Sequence, residues 1–126
     1  MAIRYFTVEE ANSLLSEIRP LMAELLERRA RVVDARPALE GILDDTSSNV
    51  GSRKASAATQ DFMAIEQLVE KIRAYGCDLK DVNVGLVDFL AEIDGREVYL
   101  CWRFGEEKIQ FYHDLHSGFQ GRRRLE

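Results

Sequence analysis

His113, Asp114 and His116 lie within four residues of one another, and Cys101 falls on what reads as the neighbouring strand. Imidazole, carboxylate and thiolate are the donors that zinc and other borderline divalent transition metals accept. Asp88, in the stretch GLVDF, offers a further carboxylate. Metal binding by Cys101, His113, Asp114, His116 and Asp88 is therefore one chemistry that these residue types allow. No CxxC pair and no HExxH accompany them, so no spacing brings several ligands together at once. The plain alternative is a surface histidine at a strand end and a cysteine acting as a small buried hydrophobe.

Acid–base chemistry has its residue types in Asp88, Glu97, Glu106, Glu107, Asp114 and His113. Yet no Ser or Cys has an evident activating partner, and there is neither a glycine-rich phosphate loop nor a nucleophile elbow. The expectation is a non-catalytic protein. The tail, Gly118-Phe119-Gln120-Gly121-Arg122-Arg123-Arg124, combines glycines, an aromatic ring and three cations. Such a segment can bind phosphate or RNA through charge and stacking. A net charge of −5 opposes non-specific nucleic-acid binding by the whole surface. Arg122, Arg123 and Arg124 are accordingly candidate anion or tail contacts, and Arg122 is placed to pair with Asp88 or Glu106 and hold the tail down.

Those residues must be positioned by the rest of the chain. Thr7 and Glu10 form a capping box, and Phe6 precedes them as a hydrophobic staple onto Ala11. Ala11, Leu14, Leu15, Ile18, Leu21, Met22, Leu25, Leu26 and Val32 then recur at helical spacing, predicting a long helix from about Val8 to Ala35. Pro20 predicts a kink or break near Glu17–Pro20, and Pro37 an end or a bend, with a short helical piece over Ala38–Leu43 weakened by Gly41. Asp44 to Ser56 reads as an exposed mobile loop. Phe62, Ile65, Leu68, Val69 and Ile72 mark a second helix over about Ala57–Tyr75, closed by Gly76 in a left-handed conformation. Two such helices pack as an antiparallel, coiled-coil-like hairpin. The longer stripe needs further cover, from strands or from a second copy of the chain.

After Cys77 the period changes to two. Val84 to Ile93 reads as a strand, Asp94-Gly95 as a type I′ turn, and Glu97 to Phe104 alternates, with Val98, Leu100, Trp102 and Phe104 on the inward side. Lys108 to His113 follows as a third strand with Ile109 and Phe111 inward. A loop of odd length at Gly105–Glu107 pairs Tyr99 with His113 and puts Cys101 and His113 diagonally on one face; an even loop separates them. The spacing leaves that register open.

GLVDF, GREVYLCWRFGE (Gly95–Glu106), HDLHSGFQGR (His113–Arg122) and the opening RYFTVEEAN (Arg4–Asn12) resemble a bacterial family known as domain of unknown function 2203. The resemblance implies a domain found alone and no particular activity. His116 and Arg123-Arg124 depart from the family pattern, which has an acid and a less basic pair there.

The expected fold is α+β: a long antiparallel helical hairpin (about 7–76, with a flexible loop about 44–56), followed by a three-stranded antiparallel β-meander and tail (about 77–126) packed on it as a single domain. With 126 residues, 46% apolar and 31% charged, and no run long enough to span a bilayer, the expectation is a soluble cytoplasmic chain without a signal peptide. Cys77 and Cys101 are expected as free thiols. The leading functional expectation is a small binding or interaction domain, homodimeric through the long helix or meeting another protein. A metal-binding protein comes next, using zinc or another divalent transition metal, and nucleic-acid binding through the arginine tail third.

Overall fold

The computed structural model describes residues 3–42 and 49–125. Helix α1, Val8–Ile42, starts at the expected cap: the Glu10 N–H donates to Thr7 Oγ1 at 3.0 Å and the Thr7 N–H donates to Glu10 Oε1 at 3.2 Å. Phe6 and Ala11 are buried on either side of it. The helix is longer than expected and runs through both Pro20 and Pro37. Pro20 and Ser16, whose carbonyl loses its partner there, both face solvent, so that carbonyl is open to hydration rather than buried unpaired. The break expected there is absent: Ile18 and Met22, flanking the proline, are fully buried and keep both sides of it in one helix.

Helix α2, Asn49–Arg73, begins well before the expected Ala57. The segment 49–56, expected as loop, is helical; 43–48 lies outside the described residues. Glycine and serine cost a helix interior at most about 1 kcal/mol each, which packing can outweigh. Ala58, near this end, is buried. Arg28 and Arg31 of α1 converge on Asp61 of α2 at 3.0 and 3.1 Å, tying the antiparallel pair together. Gly76 closes the turn after α2 at φ 94°, as expected.

The sheet has five strands, not three. β1 (Asp78–Asp81), β2 (Leu86–Ile93), β3 (Arg96–Arg103), β4 (Phe111–Asp114) and β5 (Arg123–Arg124) lie in sequence order, all antiparallel. β1 and β5 are four and two residues long, too short to show an alternating pattern. Asp94 and Gly95 both take positive φ, 52° and 77°, as a type I′ turn requires. Beyond the end of β1, the Phe6 N–H donates to the Leu90 carbonyl at 2.8 Å, so the N-terminal segment occupies part of that sheet edge.

One sheet face, carrying Val87, Phe89, Ala91, Val98, Leu100 and Trp102, packs with Leu15, Ile18, Met22 and Leu25 of α1 and Leu68 and Ile72 of α2 in a single core. The α1 stripe is thus covered by the sheet and α2 as far as Leu25. The Trp102 indole N–H donates to the Glu106 carbonyl at 2.9 Å, folding the 104–110 connection under the sheet. Ile109 joins the core, but Phe111 does not. It opposes Cys101 on the outer face, because the chain from 105 to 110 is irregular and strand alternation does not carry from Ile109 to Phe111. Among the described residues, no helix is long and apolar enough to cross a membrane.

Candidate metal centre

Strand register decides which polar residues meet on the outer face. β2 and β3 place Asp88 opposite Cys101, while β3 and β4 place Tyr99 opposite His113 and Cys101 opposite Phe111. Cys101 and His113 therefore share a face as diagonal neighbours, the arrangement of the odd-length connection, and Asp88 shares it with them. All three are buried, at 2% exposure for Asp88 and His113 and none for Cys101. Their potential ligand atoms lie within 4.8 Å of one another.

Hydrogen bonding orients the imidazole. His113 Nδ1 lies 2.8 Å from the Asp114 carbonyl oxygen, which only accepts, so Nδ1 carries a proton and donates it. Nε2 faces Asp88 Oδ2 at 3.0 Å. One proton lies between Nε2 and Oδ2, because two bare acceptors at that distance would repel. Burial raises the Asp88 pKa, opposed by the neighbouring His113 charge and the hydrogen bond it makes, and less strongly by Cys101 and Lys80. Burial likewise pushes the Cys101 thiol up to about 12, with the Asp88 charge adding to the effect and Arg122 opposing it. Asp88 Oδ1 is buried and has no hydrogen-bond partner among the described residues.

This geometry does not make a nucleophile. A cysteine–histidine pair needs an imidazole nitrogen free to take the thiol proton, with the other nitrogen held by an orienting group. Here both nitrogens are engaged, by the Asp114 carbonyl and by Asp88, and the thiol is fully buried, which disfavours its thiolate.

The donor set suits a metal better. Tetrahedral zinc, with bonds of about 2.0–2.3 Å, spaces its ligand atoms roughly 3.3–3.6 Å apart, a spread this cluster reaches by small side-chain shifts. A ligating histidine whose other N–H is held by a backbone carbonyl is the usual arrangement behind such a site.

The remaining candidate residues lie elsewhere. The Asp114 carboxylate faces away from the cluster to Arg96 at 2.7 Å and Arg123 at 3.7 Å; only its backbone carbonyl serves His113. His116 is exposed in the turn after β4. Arg122 points back into the structure: its Nη2 reaches Glu106 Oε1 and Oε2 at 2.7 and 2.8 Å and the Cys101 carbonyl at 3.3 Å. Its guanidinium lies between the Phe111 and Phe119 rings, 4.1 and 4.6 Å from their centroids. Glu106 Oε1 also accepts the Arg103 N–H at 2.7 Å, so one carboxylate joins the tail to the end of β3. Phe119 continues over the outer face, lining a hollow of about 240 Å³ with Asp81, Val84, Leu86 and Arg103. Arg124 pairs with Phe111 across β4 and β5.

Lys80, which sequence reasoning missed, sits 4.8 Å from the centroid of the Tyr99 ring, and Tyr99 in turn stacks obliquely on His113 at 5.7 Å. Its strand, β1, is too short to be recognised by alternation.

The profile of a family described as an uncharacterized conserved protein, DUF2203, matches residues 4–125. The chain belongs to that family. The match spans the helical hairpin, all five strands and the three clustered residues of this DUF2203 member. No curated protein and no solved structure matches the chain.

Proposed function

We propose that this DUF2203 chain binds one divalent transition metal, zinc foremost, through Asp88, Cys101 and His113, in a non-catalytic role. The observation that carries the reading is the convergence of a carboxylate, a thiol and an imidazole within 4.8 Å at a fully buried place on the sheet. A second observation points the same way. Asp88 Oδ1 is buried without a well-aligned donor, and beside His113 the carboxyl has only the Cys101 thiol, a weak donor; a bound cation would satisfy it more fully. Three protein ligands leave a fourth position for water or for that second carboxylate oxygen. Binding requires the Asp88 carboxyl and the Cys101 thiol to lose their protons, so affinity rises with pH.

The test is metal analysis of protein purified without a histidine tag, followed by titration of chelator-treated protein with Zn²⁺ and Co²⁺. One metal per chain is expected, with cobalt giving tetrahedral d–d bands and a thiolate-to-cobalt charge-transfer band. Cys101→Ser removes the charge-transfer band, His113→Ala and Asp88→Asn abolish stoichiometric binding, and His116→Ala binds as the parent does. Circular dichroism establishes that each variant is folded. Substoichiometric binding by the parent, or full binding by folded His113→Ala, refutes the proposal.

A further inference from the structure

Helix α2 leaves one flank bare. Its buried positions, Ala58, Asp61, Leu68 and Ile72, face α1 and the sheet. Phe62, Glu66, Val69 and Arg73 recur at intervals of four, three and four along an adjacent flank. Phe62 is 54% exposed, and Ile65 and Val69 are half-buried. Ile65, Glu66, Val69, Glu70 and Arg73 line a shallow trough of about 320 Å³, every wall of which belongs to α2 itself. Neither Glu66, Glu70 nor Arg73 makes an ion pair among the described residues.

We infer that this flank is a self-association surface, and that its occupant is the same flank of a second copy lying antiparallel. The charge order along the helix points to that partner. Glu66 and Arg73 stand seven residues apart, two helical turns, on either side of Val69. An antiparallel copy centred on Val69 and Glu70 sets Glu66 against the partner's Arg73, and two-fold symmetry repeats the pair. Val69 of both copies then meets between the two ion pairs, with Ile65 and Phe62 of each copy outside them; Glu70 faces the partner's Glu70 near the two-fold axis, one like-charge pair against the two attractive ones. A parallel copy would set Glu66 against Glu66 and Arg73 against Arg73, so the same charges reject it. Three turns of helix bury less than a standard stable interface, so the contact belongs to the weak, reversible class. This contact is separate from α1, whose stripe is covered within the chain as far as Leu25, and it does not rest on the metal centre.

Sedimentation velocity over a concentration series up to about 100 μM tests it. The wild type shows a reversible monomer–dimer equilibrium, the same with and without chelator. Glu66→Arg alone and Arg73→Glu alone each weaken the dimer by at least about tenfold, because each creates like-charge pairs. The double variant, Glu66→Arg with Arg73→Glu, restores the dissociation constant to within about threefold, since the swap regenerates both pairs. Phe62→Gln weakens association without altering charge. All three positions lie on the outer flank, so the variants keep the monomer fold, checked by circular dichroism. A wild type that stays monomeric throughout, single reversals that leave the dimer unchanged, or a double swap that fails to restore it would each overturn the inference.

Discussion

Replacing Asp88 by asparagine separates the proton held at the buried cluster from the shape of the cluster. The asparagine side chain has the same size, and its amide N–H can donate to His113 Nε2, so the hydrogen bond now 3.0 Å long survives without a titrating carboxyl. Burial raises the Asp88 pKa above its ordinary value of 3.8, so the folded chain holds that proton more tightly than the unfolded chain does. Unfolding then releases the proton, and a rise in pH favours the unfolded state. The contribution is fully present below about pH 4 and is lost as pH rises through the raised folded value. The limiting slope is about 1.4 kcal/mol per pH unit. Between about pH 5 and pH 7, wild type therefore loses up to roughly 2.7 kcal/mol relative to Asp88→Asn, the ceiling being reached only if the folded carboxyl stays protonated throughout. Urea denaturation of both chelator-treated proteins at several pH values in that interval gives the difference directly. Taking the difference also cancels the titration of every distant group. Profiles that run parallel would refute a protonated, buried Asp88 and the shared proton with it.

Two further perturbations test how the site is built. Arg122→Ala removes the Glu106 ion pair, the bond to the Cys101 carbonyl and the packing between Phe111 and Phe119, and should cost about 2 kcal/mol of unfolding free energy. Arg122→Lys should recover less than half of that, because an ammonium lacks the planar face that packs between the Phe111 and Phe119 rings; a loss under about 0.5 kcal/mol for the alanine variant would show that Arg122 does not hold the tail. Gly85→Ala should destabilise by about 2–4 kcal/mol in the same assay, because the residue has φ +70° and the new Cβ would meet the Phe104 Cβ at 2.8 Å and the Met22 Cγ at 3.0 Å. An effect near zero would mean that the sheet can slide away from α1 at this point.

Much of the architecture is written locally. The capping box at Thr7 and Glu10, the stripe from Ala11 to Leu25, the Asp94-Gly95 turn and the alternation from Glu97 to Arg103 each depend on residues a few positions apart, so the pattern and the structure coincide. Where local signals misled, a distant contact prevailed. Helix α1 passes Pro20 because Ile18 and Met22 are locked in the core, and α2 takes in 49–56 although its serines and glycine read as loop. β1 and β5 exist only as partners of β2 and β4.

The candidate site divides in the same way. Residue types alone nominated Cys101, His113, Asp114, His116 and Asp88, and family membership was legible in the motifs at both ends of the chain. They could not separate three of those residues from the other two, because a shift of one residue in pairing moves every side chain of a strand to the other face. Tertiary structure made the selection. The irregular 105–110 connection sets Tyr99 against His113, the hairpin at Asp94-Gly95 sets Asp88 against Cys101, and the tail pinned by Arg122 crosses the same outer face of the sheet. Burial and register belong to pairs of strands distant in sequence, and those pairs turned three scattered polar residues into one cluster.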